Sequence, residues 1–119
     1  EIHPLLQIFD DEANVKEFSV RHGYFYNGQP TQWQSEFSYA SDTPLEHTSS
    51  YEWNYTLADL ISGLAQRGLT IEFLHEFPYL CYKGLPFLEQ RDDGWWYVPK
   101  GMPEVPLLFS LRASRRLAR

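Results

Sequence analysis

The sequence predicts an α+β fold, built from a mostly antiparallel β-sheet and one main α-helix. The prediction rests on the segment 51–77, in which two periodicities follow one another. Apolar residues first recur with helical spacing, at Leu57, Leu60, Ile61 and Leu64. That spacing places them on one face of a helix. The period then changes to two between residues 70 and 77, which is the alternation of a half-buried strand.

Local signals mark both ends of the predicted helix. Thr56 is followed three residues later by Asp59, an arrangement similar to a capping box, in which the hydroxyl accepts a hydrogen bond from a free backbone N–H. Asp59 also places negative charge near the positive end of the helix dipole. Arg67 and Gly68 predict the end of the helix, because a cation in the last turn is followed by a residue that tolerates positive φ.

The strand that follows is expected to have two different faces. Strict alternation places one set on the first face, namely Ile71, Phe73, His75 and Phe77. It places a second set on the other face, namely Thr70, Glu72, Leu74 and Glu76. Because His75 shares the first face with three apolar residues, we expect it to be a hydrogen-bonded histidine of the core rather than a catalytic group.

The first half of the chain predicts antiparallel β-structure. Segments 18–26, 33–39 and 45–53 are rich in aromatic and β-branched residues or alternate in polarity. Asn27-Gly28 and residues 41–44 supply turn signals between them. Segment 5–16 is compatible with a short helix or with an irregular lid.

The last third predicts a long irregular connection and a final strand. Segment 78–103 contains four prolines and three glycines, and long connections of this kind are often functional. Residues 95–98 are expected to form a short strand within it. Segment 105–113 alternates as the closing strand, with Leu108 partly buried on its second face. Pro106 lacks an N–H, which predicts a sheet edge or a bulge at that end.

Composition excludes several classes of function. The net charge of −6 argues against general nucleic-acid binding. No apolar run approaches the roughly 20 residues that span a bilayer, so no membrane partner is expected. Cys81 is the single cysteine of the sequence, which rules out an internal disulfide and favours a reducing, cytoplasmic location. The chain is 119 residues long and 43% hydrophobic, which suits one domain or part of one.

No established catalytic or metal-binding motif is present in the sequence. The four histidines have no helical i, i+4 spacing, and neither a nucleophile elbow nor a phosphate-binding loop occurs. We therefore assign no catalytic residue, no metal ligand and no cofactor-binding residue. Aromatic residues make up 17% of the chain. Half or more of them are expected in the core, and the remainder are available to line a pocket or a protein interface.

Five segments in a fixed order carry a resemblance to a known family. They are residues 1–4, 51–57, 60–69, 71–78 and 105–113, which read EIHP, YEWNYTL, LISGLAQRGL, IEFLHEFP and VPLLFSLRA. In this order they resemble the C-terminal half of a class I S-adenosylmethionine-dependent methyltransferase of the small-molecule, type 11 kind. The resemblance implies the C-terminal part of a Rossmann-like fold. Segment 1–4 would be the exit from the fifth strand of that fold, next to the substrate. Segment 60–77 would form the last helix and the sixth strand, and segment 105–113 would form the antiparallel seventh strand.

The chain departs from the family because the cofactor-binding half is absent. The sequence has neither the glycine-rich loop, nor the acidic residue that holds the ribose, nor the first four strands. We therefore expect S-adenosylmethionine to be the cofactor of a longer parent protein, and the chain alone to bind no cofactor and to be inactive. The expected organisation is one unit, 1–119, a fragment of that parent. It comprises a post-strand segment (1–17), an inserted β lid (18–53) and a helix–strand–loop–strand unit (54–113).

The resemblance also implies which residues face a small-molecule substrate. The candidate substrate contacts are His3 and Pro4 after the fifth strand, Trp53, Asn54 and Tyr55 before the last helix, and Tyr24, Tyr26 and Trp33 in the lid. For the lid residues, packing of the lid itself is an equally good interpretation. Sheet edges left open by the missing half predict a homodimer or strand exchange. The alternative function is a non-catalytic module that binds a small ligand or a protein through an aromatic surface.

Overall fold

The computed structural model describes residues 1–38 and 41–116. A 3₁₀ helix, Pro4–Ile8, comes first. The strands and the α-helix then follow in the order β1 (Thr31–Gln34), β2 (Phe37–Ser38), β3 (Ser41–Pro44), β4 (Ser49–Glu52), α1 (Leu57–Gln66), β5 (Leu69–Phe77), β6 (Tyr79–Leu80), β7 (Glu89–Gln90), β8 (Trp96–Tyr97) and β9 (Leu108–Arg115). All pairings between these described strands are antiparallel. The predicted α+β class, with antiparallel sheets and one α-helix among the described residues, is confirmed.

The cap at the start of α1 and the glycine after its end act as predicted, whereas Arg67 is the C-cap residue and does not lie in the last turn. The Thr56 hydroxyl accepts a hydrogen bond from the Asp59 backbone N–H at 3.0 Å, and the Asp59 carboxylate accepts one from the Thr56 N–H at 3.3 Å. Gly68 follows the helix with a φ of 79°, the left-handed region that glycine adopts without steric cost. The apolar face of α1 packs on β5. Within α1, all of whose residues are described, no side chain is fully buried.

A bulge in β5 changes the predicted distribution of side chains. Ile71 lies opposite Ala113 and Leu74 lies opposite Leu111, and the register shifts between Ile71 and Phe73. Because Leu111 and Ala113 are two residues apart on β9, Ile71 and Leu74 share one face. The prediction that Ile71 shares a face with Phe73 is therefore wrong. An extra residue in one strand moves all later side chains to the opposite side.

The other face of β5 carries an exposed row of rings. His75 stacks on Phe73 with ring centroids 4.6 Å apart, and Phe77 meets His75 edge-on at 6.4 Å. These three residues share a face, as predicted. His75 is nevertheless exposed, and Phe73 is 37% exposed. The prediction of a core histidine is wrong, since the described elements leave this face largely uncovered.

Residues 1–3, here the N-terminal segment, run along the second edge of β9. Ile2 forms an antiparallel bridge with Leu108. Phe109 donates its N–H to the carbonyl of Glu1 at 2.9 Å and accepts from the amino group of Glu1 at 2.9 Å. On its other side Phe109 lies opposite Glu76 of β5. β9 therefore lies between the N-terminal segment and β5 and is antiparallel to both, so these two run parallel to each other.

The irregular stretch 78–103 supplies much of the hydrophobic core. Leu80, Leu85, Leu88 and Val98 are buried there and pack with Leu6, Phe9 and Leu107. The short strand predicted at residues 95–98 is confirmed as β8, which pairs with β6 and β7. The predicted start of the closing strand at residue 105 is wrong, because β9 begins at Leu108, two residues after Pro106. A residue without an N–H leaves one ladder bond unmade.

The lid, residues 18–53, contains less regular structure than predicted. β1 pairs with β4, and β2 pairs with β3. The strand predicted over 18–26 is absent from the structure apart from one bridge, between Val20 and Phe9. Tyr39, the last residue of the strand predicted over 33–39, lies outside the described residues. In the described ranges, no helix has the length and apolar character needed to cross a bilayer.

Candidate functional site

A cavity of about 600 Å³, here the main cavity, opens between the N-terminal segment, the lid and the loop after β6. Six of the eight predicted substrate contacts line it, namely His3, Pro4, Trp33, Trp53, Asn54 and Tyr55. Its wall also includes Glu1, Ile2, Leu6, Gln7, Phe9, Asp11, Tyr51, Glu52, Tyr82, Gly84 and Leu85. The cavity therefore brings together residues from both ends of the first half of the chain.

Three chain segments position the residues of the main cavity. Pro4 begins the 3₁₀ helix, and its fixed φ suits a first helical position. Trp33 comes from β1, which pairs with β4 so that Trp33 lies opposite Ser50. Residues 53–55 form the connection from β4 to the capped start of α1. The antiparallel pairing of the lid and the cap of α1 thus hold the tryptophan and tyrosine side chains at one opening.

His3 is held rigidly at the cavity wall. Its side chain is buried, Nδ1 accepts a hydrogen bond from the Leu5 backbone N–H at 3.1 Å, and Nε2 lies 2.6 Å from Oε2 of Glu76. Because Nδ1 accepts, the ring proton is on Nε2, which donates to the carboxylate. Both ring nitrogens are therefore engaged, so His3 can shape the cavity but has no free nitrogen to remove a proton from a bound molecule.

Two of the predicted contacts lie outside the main cavity. The Tyr24 hydroxyl accepts a hydrogen bond from the Leu57 backbone N–H at 3.2 Å, one of the free donors at the start of α1. Tyr24 thus connects the lid to the helix. Tyr26 is 45% exposed and is not among the described residues that line the cavity.

The electrostatic character of the main cavity is negative. Glu1, Asp11 and Glu52 are among its lining residues, and neither lysine nor arginine occurs among the described residues that line it. Burial raises the pKa of the Tyr55 hydroxyl, and the negative charge of Glu1 raises it further. An added negative charge is thus disfavoured at Tyr55. Sequence reasoning did not single out these carboxylates, because the sixteen acidic residues of the chain show no distinctive spacing.

Two buried donors in the cavity wall lack a hydrogen-bond partner among the described groups. They are Nε2 of Gln7 and Nε1 of Trp33. Both residues also line a second cavity of about 320 Å³, which includes Arg21 and His22. Leaving a buried donor unpaired costs roughly 1–3 kcal/mol. Gln7 is not among the residues predicted from the sequence, because no local pattern distinguishes it from the other polar residues of its segment.

The arrangement offers binding groups rather than a metal centre or a cofactor cradle. In residues 1–38 and 41–116, no group of three or more His, Cys, Asp and Glu side chains is placed to hold a metal ion. The sequence also contains no glycine-rich strand-to-helix turn through which the backbone could approach a nucleotide cofactor. What this site can do chemically is to enclose and orient a small molecule against aromatic and acidic side chains.

Comparison with models of known protein families finds no match, and neither the curated proteins nor the solved structures contain a significant match to this chain.

Proposed function

We propose that this chain is the substrate-side portion of an S-adenosylmethionine-dependent methyltransferase that acts on a small molecule. The main cavity is the substrate site in this proposal. The cofactor belongs to a glycine-rich half of the parent protein, outside these 119 residues, and the chain alone is expected to be inactive. A reducing, cytoplasmic location, favoured by the single cysteine, is part of the same proposal.

The observation that carries the proposal is the strand order around β9. The resemblance requires the N-terminal segment to end a fifth strand, β5 to be a sixth strand, and β9 to be an antiparallel seventh. The backbone bonds from Phe109 to Glu1 and the register of β9 on β5 make β9 antiparallel to both neighbours. The two neighbours run parallel to each other, with the lid and α1 between them in sequence. An antiparallel seventh strand that pairs with both the fifth and the sixth is compatible with these assignments.

The position of the main cavity also supports the proposal. Ligands of open α/β sheets bind beyond the carboxyl ends of the parallel strands. The N-terminal segment ends at His3, and His3 and the following Pro4 form part of the cavity wall. A substrate bound there would lie directly beyond the carboxyl end of the segment assigned to the fifth strand.

The chain's own contribution to the reaction would be positioning and exclusion of water. S-adenosylmethionine supplies an activated methyl group when bound to the parent. Methyl transfer needs alignment of the acceptor atom more than it needs a strong acid or base. Trp33 of the lid and Trp53 before α1 would enclose the substrate, and His3, fixed by Glu76, would hold the floor of the site. We assign no general base, because both nitrogens of His3 are engaged.

The test is the mass and cofactor affinity of the protein from its native host. Intact-mass measurement and N-terminal sequencing are expected to give a protein of about twice 14.0 kDa, with a glycine-rich segment ahead of Glu1. Calorimetry should show S-adenosylmethionine binding to that protein and none to the 119-residue chain. A native mass of 14.0 kDa, or an intact protein that does not bind the cofactor, would overturn the proposal.

One observation favours the second candidate, a non-catalytic ligand-binding module. Six aromatic residues contribute to the lining of the main cavity, and a lining of this kind can bind a small ligand without any catalytic group. On this hypothesis the native protein has no cofactor-binding half but still binds a small molecule. The mass measurement separates the two candidates, because the module requires no glycine-rich segment upstream.

A further inference from the structure

Acidic residues predominate among the charged residues of the main cavity. Its lining includes the three carboxylates of Glu1, Asp11 and Glu52. The α-amino group of Glu1 is the cationic group on these residues, and it donates to the Phe109 carbonyl in the sheet. Arg21 pairs with Asp10 and Glu12, the two neighbours of Asp11 in sequence, and lines the second cavity instead. The acidic residues of the main cavity therefore outnumber its one cationic group, and its net charge is negative.

The same cavity is rich in electron-rich aromatic rings. Trp33, Tyr51, Trp53, Tyr55 and Tyr82 contribute to its lining. Two of them remain largely exposed, with 56% of Tyr51 and 62% of Trp53 accessible to solvent. The faces of tryptophan and tyrosine rings carry negative electrostatic potential, and they attract ammonium groups more strongly as the cation is desolvated. Rings and carboxylates in one cavity therefore favour the same kind of ligand.

We infer that the main cavity binds a small organic cation, an amine or a quaternary ammonium compound, with the charged nitrogen against the rings and carboxylates. This inference rests on the part of the proposed function that makes the main cavity the substrate site. Burial, followed by the negative charge of Glu1, raises the pKa of Tyr55, and both residues line the main cavity. Phosphorylated and carboxylate ligands are disfavoured by the same negative charge.

The unpaired donors add a second requirement. Nε2 of Gln7 and Nε1 of Trp33 are buried without partners among the described groups. An oxygen acceptor on the ligand, such as a hydroxyl or a carbonyl, would satisfy one of them and recover part of the desolvation cost. Both atoms are shut off from solvent in this structure, so a side-chain rotation would accompany that contact. The inferred ligand is thus a cation with a neutral oxygen acceptor, of which choline is the simplest probe.

The experiment compares choline with its neutral isostere, 3,3-dimethylbutan-1-ol, on the 119-residue chain without cofactor. The two molecules share their hydroxyl and nearly their shape, and they differ in the charge of one atom. Binding is followed by NMR at 0.15 M salt through the indole N–H signals of Trp33 and Trp53. Choline is expected to bind about fivefold tighter or more, as cation–π and carboxylate attraction together predict. Equal affinities for the two probes, or no shift with either, would overturn the inference.

Matched variants locate the binding site. Glu52→Gln is expected to weaken choline binding about threefold and to leave the neutral isostere unchanged. Glu104→Gln, at an exposed carboxylate outside the cavity, should change neither affinity. The indole signal of Trp95, which packs against Tyr79 and is not among the lining residues, should not move. Equal effects of the two variants would show that choline responds only to net charge.

These results are distinguishable from a failure of the proposed function. If choline binds selectively but the native protein has no cofactor-binding half, the methyltransferase proposal fails and the cation site remains as that of a binding module. If the intact protein binds S-adenosylmethionine but shows no preference for choline over its isostere, the enzyme proposal holds and the inferred ligand class is wrong.

Discussion

Nε2 of His3 lies 2.6 Å from Oε2 of Glu76, a contact that joins two residues 73 positions apart in sequence. His3 is the last residue of the N-terminal segment, and Glu76 lies near the end of β5. Both segments pair with β9, so the side-chain contact crosses over that central strand. The ring of His3 also meets Phe109 of β9 edge-on, with centroids 6.0 Å apart. The pair therefore fixes the floor of the main cavity to the sheet that supports it.

Loss of the Glu76 carboxylate should destabilise the chain. Glu76→Ala leaves the buried Nε2–H of His3 unpaired, and we expect the free energy of unfolding to fall by about 2 kcal/mol. Glu76→Gln should cost about 1 kcal/mol, because the amide oxygen can accept the same bond without the charge. Urea denaturation followed by tryptophan fluorescence measures both values.

The control for this pair is on the same strand. Glu72 forms an exposed ion pair with Arg112, in which Nε of the arginine lies 2.8 Å from the carboxylate. Exposed pairs contribute little, so Glu72→Gln should cost less than about 1 kcal/mol. If Glu72→Gln costs as much as Glu76→Ala, then net charge rather than the buried hydrogen bond sets the stability.

The capping box of α1 predicts a second stability difference. Thr56→Ala removes the acceptor for the Asp59 N–H and is expected to cost about 1 kcal/mol. Thr56→Ser keeps the hydroxyl and should retain most of the stability. Circular dichroism at 222 nm during urea unfolding gives the comparison. A serine variant as unstable as the alanine variant would assign the loss to the buried threonine methyl group and not to the cap.

Asp93 and Tyr97 predict a pH dependence of stability. The Tyr97 hydroxyl donates to Asp93 at 2.6 Å, and this bond, with the Trp95 backbone N–H, lowers the pKa of Asp93 below its ordinary value of 3.8. When the pKa of a carboxyl group is lower in the folded than in the unfolded state, ionisation of the group stabilises the fold at pH values above the unfolded-state pKa. That contribution is lost as the pH falls through the folded-state pKa. Stability should therefore decline below about pH 4.

The same bond acts in the opposite direction at high pH. It raises the pKa of Tyr97 above 10.0, so its contribution is present below pH 10 and is lost as the pH rises through the folded value.

Thermal unfolding between pH 2.5 and pH 7 should show a smaller acid loss for Asp93→Asn than for the natural chain. Identical acid profiles for the two proteins would show that Asp93 does not control this part of the curve.

The elements that the sequence predicts well are those with local signals. The helix α1 begins after Thr56 and ends before Gly68, as expected, because capping and positive φ depend on residues only a few positions apart. The bulge in β5 could not be predicted, since it exists only in relation to the register with β9. A local alternation pattern therefore placed Ile71 on the wrong face, although it grouped Phe73, His75 and Phe77 correctly.

The core and the cavity depend on contacts that are distant in sequence. The sequence of stretch 78–103 resembles an irregular loop, because its strands β6, β7 and β8 are only two residues long. Leu80, which lies within this stretch, is nevertheless completely buried. Six of the cavity residues are predicted as substrate contacts from the family resemblance, not from any local pattern. Tyr24 is predicted either to contact the substrate or to pack within the lid, and its hydroxyl accepts a hydrogen bond from the Leu57 N–H across 33 positions, a contact that no periodicity indicates.

The open edges of the sheet predict that two chains associate. The N-terminal segment pairs with β9 through the Ile2–Leu108 bridge, and β5 pairs with β9 alone among the described strands. Unpaired strand edges recruit other chains, so we propose a homodimer formed by edge pairing or strand exchange. Light scattering at high concentration should give about twice 14.0 kDa, and Thr70→Pro, on the β5 edge, should shift the mass toward the monomer. Thr70→Ser is the matched control. A monomer at every concentration tested would contradict this prediction.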